Sequence, residues 1–201
     1  MEDFEVVLDF DGVMVNSFLY YLSHPLKTFN ILTKALANCI RERNVGPSNL
    51  IRNFLICSGD CAKKIGKEMV RYKSKGLADL FHFLEKEKIG VKIVSSSPRE
   101  LVSNFLEEFK KIENVQLDYQ LIATSPHKFI SRYDKANSFG NEKIISVTDC
   151  EIDIELSKKS YLSFIRKTVL WYISRRKPTG YSIKNLSEFL HFLKNYRKKI
   201  K

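Results

Sequence analysis

From residue 76 onward, short apolar runs alternate with amphipathic helical spacing, and this alternation is the strongest constraint on the fold. Val91-Lys92-Ile93-Val94-Ser95 reads as a strand stopped by Ser96-Ser97-Pro98. Tyr119 to Thr124, Lys143 to Thr148 and Thr168 to Ser174 read as further strands. Between them, Leu77 to Leu84, Glu100 to Lys111, Lys128 to Ser138, Asp153 to Ser163 and Leu186 to Asn195 read as helices. Such alternation predicts a doubly wound, Rossmann-like α/β fold with a parallel sheet.

The sheet begins earlier, with Phe4 to Phe10. This near-continuous apolar run suits a strand buried on both faces, and a turn follows at Gly12. Residues 17 to about 75 differ. Phe18, Leu19, Leu22, Leu26, Phe29, Ile31, Leu32, Leu36 and Ile40 carry helical spacing, and breaks follow at 44–48 and 58–60. The expected organisation is a core made of 1–16 and 76–201, with a small all-helical cap, 17–75, inserted after the first strand.

Ligands of open parallel sheets bind beyond the carboxyl ends of the strands. The residues at those ends are Asp9 and Asp11, then Ser95, then the segment around Lys128, then Asp149 and Asp153. Carboxylates, hydroxyls and a cation in one place can hold a metal and a phosphate together. An Asp-x-Asp triplet alone is weak, because Asp also favours turns such as the one at Gly12.

The ordered set resembles the haloacid dehalogenase superfamily. Val7-Leu8-Asp9-Phe10-Asp11-Gly12-Val13 is similar to its first motif. Ile93-Val94-Ser95-Ser96-Ser97-Pro98 is similar to the second, and Ser146-Val147-Thr148-Asp149-Cys150-Glu151-Ile152-Asp153 to the fourth. Lys128 is taken as the third-motif lysine, with Lys135 and Lys143 as rivals. The cap resembles the first cap type of the superfamily, as in phosphoglycolate phosphatase-like members. Thr148 stands where the family usually has Gly, and Asn16 where many relatives have Asp.

The resemblance implies a phosphatase acting through an aspartyl-phosphate. Asp9 would be the nucleophile and Asp11 the acid and base. Ser95, the N–H groups of Ser96 and Ser97 at the next helix start, and Lys128 would bind phosphate. Asp9, Asp11 (through its backbone carbonyl), Asp149 and Asp153 would hold Mg²⁺. Each position also has a bland reading. Asp153 suits a helix start, the serines suit N-caps, and lysines are abundant in this chain. The implied substrate is a small organic phosphate monoester. A nucleic-acid end phosphatase, a phosphomutase and a non-catalytic phosphate-binding protein are the alternatives.

Composition narrows the partners. The formal net charge is +11, from 34 Lys and Arg against 23 Asp and Glu. That excess permits nucleic-acid binding, but much of it sits in runs such as Arg175-Arg176-Lys177 and the 197–201 tail, which read as solvated faces. No run approaches the ~20 apolar residues of a membrane span, so a cytoplasmic protein without membrane association is expected. Cys39, Cys57, Cys61 and Cys150 read as free thiols, and the aromatic residues of the cap, such as Phe18, Tyr20, Tyr21 and Phe29, as core.

Overall fold

The structure, a computed structural model, describes residues 4–59, 61–124, 144–149, 162–166 and 181–200. Among these residues six strands form one sheet: β1 (Glu5–Asp9), β2 (Gly90–Pro98), β3 (Gln120–Thr124), β4 (Ile144–Thr148), β5 (Leu162–Arg166) and β6 (Tyr181–Ile183). Their order is β3-β2-β1-β4-β5-β6, and every pairing is parallel. From β1 the chain builds outward through β2 and β3, then returns to the other side of β1 and builds outward again. The order therefore reverses at β1 and β4, where an open parallel sheet leaves a crevice at its carboxyl edge. Register aligns that edge: Leu8 stands beside Val147 of β4, and Asp9 beside Val94 of β2.

Alternation along β1 sends Val6 and Leu8 to one face and Val7 to the other. The first face carries the main core, covered by α5 (Leu77–Lys86), α6 (Arg99–Glu113) and α7 (Leu186–Ile200). Phe10, just past β1, meets Phe105 edge-on at 5.1 Å, and Phe109 stacks on Phe105 at 5.9 Å. Val7, Val94 and Ile144 form a small buried cluster on the opposite face.

Four helices lie between β1 and α5: α1 (Ser17–Ser23), α2 (Pro25–Arg41), α3 (Pro47–Gly59) and α4 (Ala62–Met69). Asn16 caps α1, accepting a hydrogen bond from Leu19 N through Oδ1 at 3.0 Å. The chain leaves and returns at one spot. Asn16 N donates to Tyr72 O at 2.9 Å, and Ser74 N donates to Met14 O at 2.8 Å. Helix α2 packs on α3, while α4 lies against α6. Gly66 permits that last contact, since a Cβ there would stand 2.5 Å from the Leu101 carbonyl oxygen.

Some expectations change. Leu162 and Ser163, read as the end of a helix, belong to β5, whose partner residues run from Ile145 to Thr148. The mixed run Leu-Ser-Phe-Ile-Arg does not separate a strand from a helix end by periodicity. Strand β6 was not foreseen. Helix α7 continues through the basic tail to Ile200; Lys198 and Lys199 are exposed as expected, while Arg197 is mostly buried with Nε 3.5 Å from Glu87. The sequence-predicted elements at 128–138 and 168–174 lie outside the described residues. Phe18 and Phe29, expected in the core, are 43% and 63% exposed.

Candidate active site

The carboxyl edge at the sheet's reversal gathers the acids and hydroxyls. Asp9 ends β1 and is 5% exposed, and its Oδ1 accepts a hydrogen bond from Phe10 N at 2.8 Å. Phe10 N also donates to Val94 O at 3.0 Å, so the start of the loop stays tied to β2.

Asp11 is half-buried, and its carboxylate is held from three sides. Oδ2 accepts from Ser97 Oγ at 2.7 Å and from Ser95 Oγ at 3.3 Å. Oδ1 accepts from Ser17 Oγ at the start of α1. Ser95 and Ser97 are two residues apart on an extended strand, which places both hydroxyls on one face and assigns Ser96 to the other. Ser97 N donates to Ser95 Oγ at 2.9 Å, fixing the pair.

This arrangement corrects the reading of the serine run. Strand β2 extends through Pro98, past a register shift between Ser95 and Pro98, and α6 starts at Arg99 with Pro98 as its N-cap. Ser96 and Ser97 therefore do not form the first turn of a helix, and the N–H of Ser97 is already engaged by Ser95.

Asp149 follows β4 directly. Gly12 has φ +75, and a Cβ built on it would lie 1.7 Å from Asp149 Oδ2. The Asp149 carboxylate thus occupies the space that any side chain at position 12 would need. Thr148, where a Gly was expected from the family pattern, is the fully buried last residue of β4. An extended strand does not require glycine there.

One side chain from α1, Tyr21, lies near Asp11. Tyr21 of α1 is 3.5 Å from Ser58 Oγ of α3 and packs on Phe54 with centroids 5.2 Å apart. Burial pushes the Tyr21 phenol up to about 12; the Ser58 hydrogen bond works against this and the nearby Asp11 charge adds to it. The phenol stays protonated at neutral pH.

Lys128, with its rivals Lys135 and Lys143, and Asp153 lie outside the described residues. Among the described residues, no three acidic, His or Cys side chains are gathered as a metal cluster. The donors present are nonetheless suited to Mg²⁺. Asp9 and Asp149 are hard oxygen ligands from adjacent strand ends, and Mg²⁺ commonly takes one or two carboxylates and completes its shell with water and phosphate. Sequence reasoning missed Ser17 and the hydroxyl of Ser97, whose N–H alone was considered, and read Tyr21 only as core. The i, i+2 spacing of Ser95 and Ser97 was a usable signal for one of them. Ser17 needs the turn at Gly12 to reach Asp11.

No family model matches the sequence, and no curated protein does. Solved structures do match. A phosphoserine phosphohydrolase-like protein from Francisella tularensis aligns with a TM-score of 0.57 and 15% identity, covering 94% of this chain and 98% of its own. A substrate-bound phosphoserine phosphatase gives 0.58 and 15%, covering 96% and 99%. The HAD-hydrolase YfnB from Bacillus subtilis, bound to magnesium, gives 0.56 and 12%, covering 96% and 99%. The chain has the haloacid dehalogenase fold. In this haloacid dehalogenase fold, the three motif segments found in the described residues meet at one edge: Asp9 and Asp11 after β1, Ser95 and Ser97 on β2, and Asp149 after β4.

Proposed function

We propose that the chain is a Mg²⁺-dependent phosphatase that hydrolyses a small organic phosphate monoester through an aspartyl-phosphate on Asp9. One observation carries this reading: Ser95 and Ser97, 84 and 86 residues away in sequence, converge on the Asp11 carboxylate two positions after a buried Asp9. Hydroxyls and carboxylates set at a strand-end crevice suit an incoming phosphate.

An Asp9 oxygen attacks phosphorus, and the bond to the ester oxygen breaks. The departing alkoxide takes a proton from Asp11. Asp11 then removes a proton from water, which attacks the aspartyl-phosphate and releases inorganic phosphate and free Asp9. Ser17, Ser95 and Ser97 hold the Asp11 carboxylate in place, and Ser95 can turn its hydroxyl toward a phosphate oxygen. Lys128, as the family resemblance implies, would supply positive charge to the nucleophile and the phosphate. Mg²⁺, held by Asp9, the Asp11 carbonyl, Asp149 and Asp153, would supply charge neutralisation to the phosphate. The cap of residues 17–75 restricts access, which favours small substrates. A phosphoserine phosphatase and a magnesium-bound hydrolase among the structures of the same fold support this reading.

The test is Mg²⁺-dependent release of a generic aryl phosphate by the full chain and by Asp9→Asn. Turnover should fall by on the order of 10³-fold or more in the variant, with an unchanged thermal melt. Equal turnover in the two proteins would remove Asp9 as nucleophile.

A further inference from the structure

Helix α2 buries one face and leaves a second apolar face bare. Ile31, Ala35 and Cys39 point into the molecule, whereas Leu26, Phe29, Leu32, Leu36 and Ile40 are between 42% and 81% exposed. At ~100° per residue those five fall within an arc of about 120°, a continuous stripe along a helix ~25 Å long. Phe18, Leu19 and Leu22 of α1 are also exposed. The five α2 side chains expose roughly 550 Å², at the upper end of the ~300–600 Å² of the largest patch on a typical monomer and most of the ~800 Å² per partner of a standard interface.

We infer that this stripe is the interface of a homodimer, in which α2 of one copy lies antiparallel on α2 of a second. The spacing is self-complementary, as a twofold axis requires. An axis passing near Thr33 sets Leu26 against Ile40 of the other copy, and Phe29 against its Leu36. Charge placement fits a protein partner better than an anionic lipid surface. The charged residues of α2, Lys27, Lys34 and Arg41, lie together about 140° from the centre of the stripe, rather than along its margins where a lipid headgroup would meet them. They also stay clear of the seam, so two copies can meet without opposing like charges.

Sedimentation velocity of the full chain, from about 1 to 100 µM, tests this. The expected species has twice the 23.4 kDa chain mass. Phe29→Glu and Leu36→Lys, both on exposed positions, should each weaken association by roughly 100-fold or more. Mixing the two variants should restore the dimer, because Glu at 29 then faces Lys at 36. Lys34→Glu should leave association unchanged. A monomer at every concentration, or a dimer indifferent to both stripe variants, overturns the inference. So does a monomer that co-floats with phosphatidylserine vesicles and loses that binding in Phe29→Glu, which would give the stripe to a membrane surface.

Discussion

Ser97 Oγ donates to Asp11 Oδ2 at 2.7 Å, and this contact ties the loop after β1 to the end of its neighbour β2. Ser97 is buried, so its hydroxyl has a fixed task rather than a solvent-facing one. Ser97→Ala leaves the Asp11 carboxylate with Ser95 and Ser17. Aryl phosphate turnover should fall about 10-fold while KM changes little, since an acid and base that is less well placed slows the chemical step. Ser97→Thr keeps the hydroxyl and should recover most of the rate. An equal loss in both variants would mean that packing, not the hydroxyl, matters there.

Gly12 and Asp149 share a single space. Gly12→Ala places a methyl where the Asp149 carboxylate lies, on a backbone with φ +75 that alanine resists. The expected cost is about 1–3 kcal/mol of stability. Turnover should drop on the order of 10²-fold as Asp149 is displaced. Urea unfolding and steady-state rates, measured on the same preparation, check both.

Asp149 carries a separate prediction about the metal. If Asp149 helps hold Mg²⁺, millimolar Mg²⁺ should raise the melting temperature of the full chain, because ligand binding to the native state stabilises it. In Asp149→Asn that rise should vanish while the metal-free melt stays close to wild type. The readout is independent of turnover. A variant that keeps the full Mg²⁺-dependent rise would place the metal elsewhere.

The legible parts of this fold were those where a residue's role follows from its own strand. Asp9, Asp11, Asp149 and Ser95 could be read because apolar runs end at them and parallel sheets bind at those ends. Ser17 could not, since its contact with Asp11 depends on the path of the loop through Gly12. Strand β6 is three residues long, too short for periodicity to declare it, and β5, no shorter than β1, was hidden because its first two residues continue a helical spacing in the sequence. The row from Phe18 to Ile40 misled for another reason. Helical spacing marks an apolar face without saying whether the same molecule covers it, and α2 has two such faces.

The helices between β1 and α5 carry a pH-dependent contact. Tyr20 Oη donates to Glu68 at 2.8 Å, and Lys27 Nζ donates to the same carboxylate at 2.7 Å. Burial raises the Glu68 carboxyl, but the hydrogen bonds from Lys27 and Tyr20 outweigh it, and its pKa sits below the usual carboxylate range. A depressed folded pKa stabilises the protein above the ordinary value and loses that contribution as pH falls through the folded one. Glu68→Gln should therefore cost roughly 1 kcal/mol at neutral pH, a modest figure because the pair is partly exposed. The gap to wild type should shrink below about pH 4 in urea melts taken across the acid range.

Gly66 tests how α4 is attached. Glycine inside a helix costs about 0.5–1 kcal/mol relative to alanine, so an isolated α4 would gain from Gly66→Ala. Here a Cβ would stand 2.5 Å from Leu101 O and 2.9 Å from Phe105 N, both backbone atoms of α6 that cannot swing aside. The helices must separate, which also strains Phe105, whose ring stacks on Phe109 and meets Phe10 edge-on. Overpacking of this kind typically costs about 1–3 kcal/mol. Gly66→Ala should therefore lower the urea midpoint by an amount in that range, in a single cooperative transition. A midpoint at or above wild type would show that α4 does not rest on α6 as described, and that its glycine serves no packing purpose.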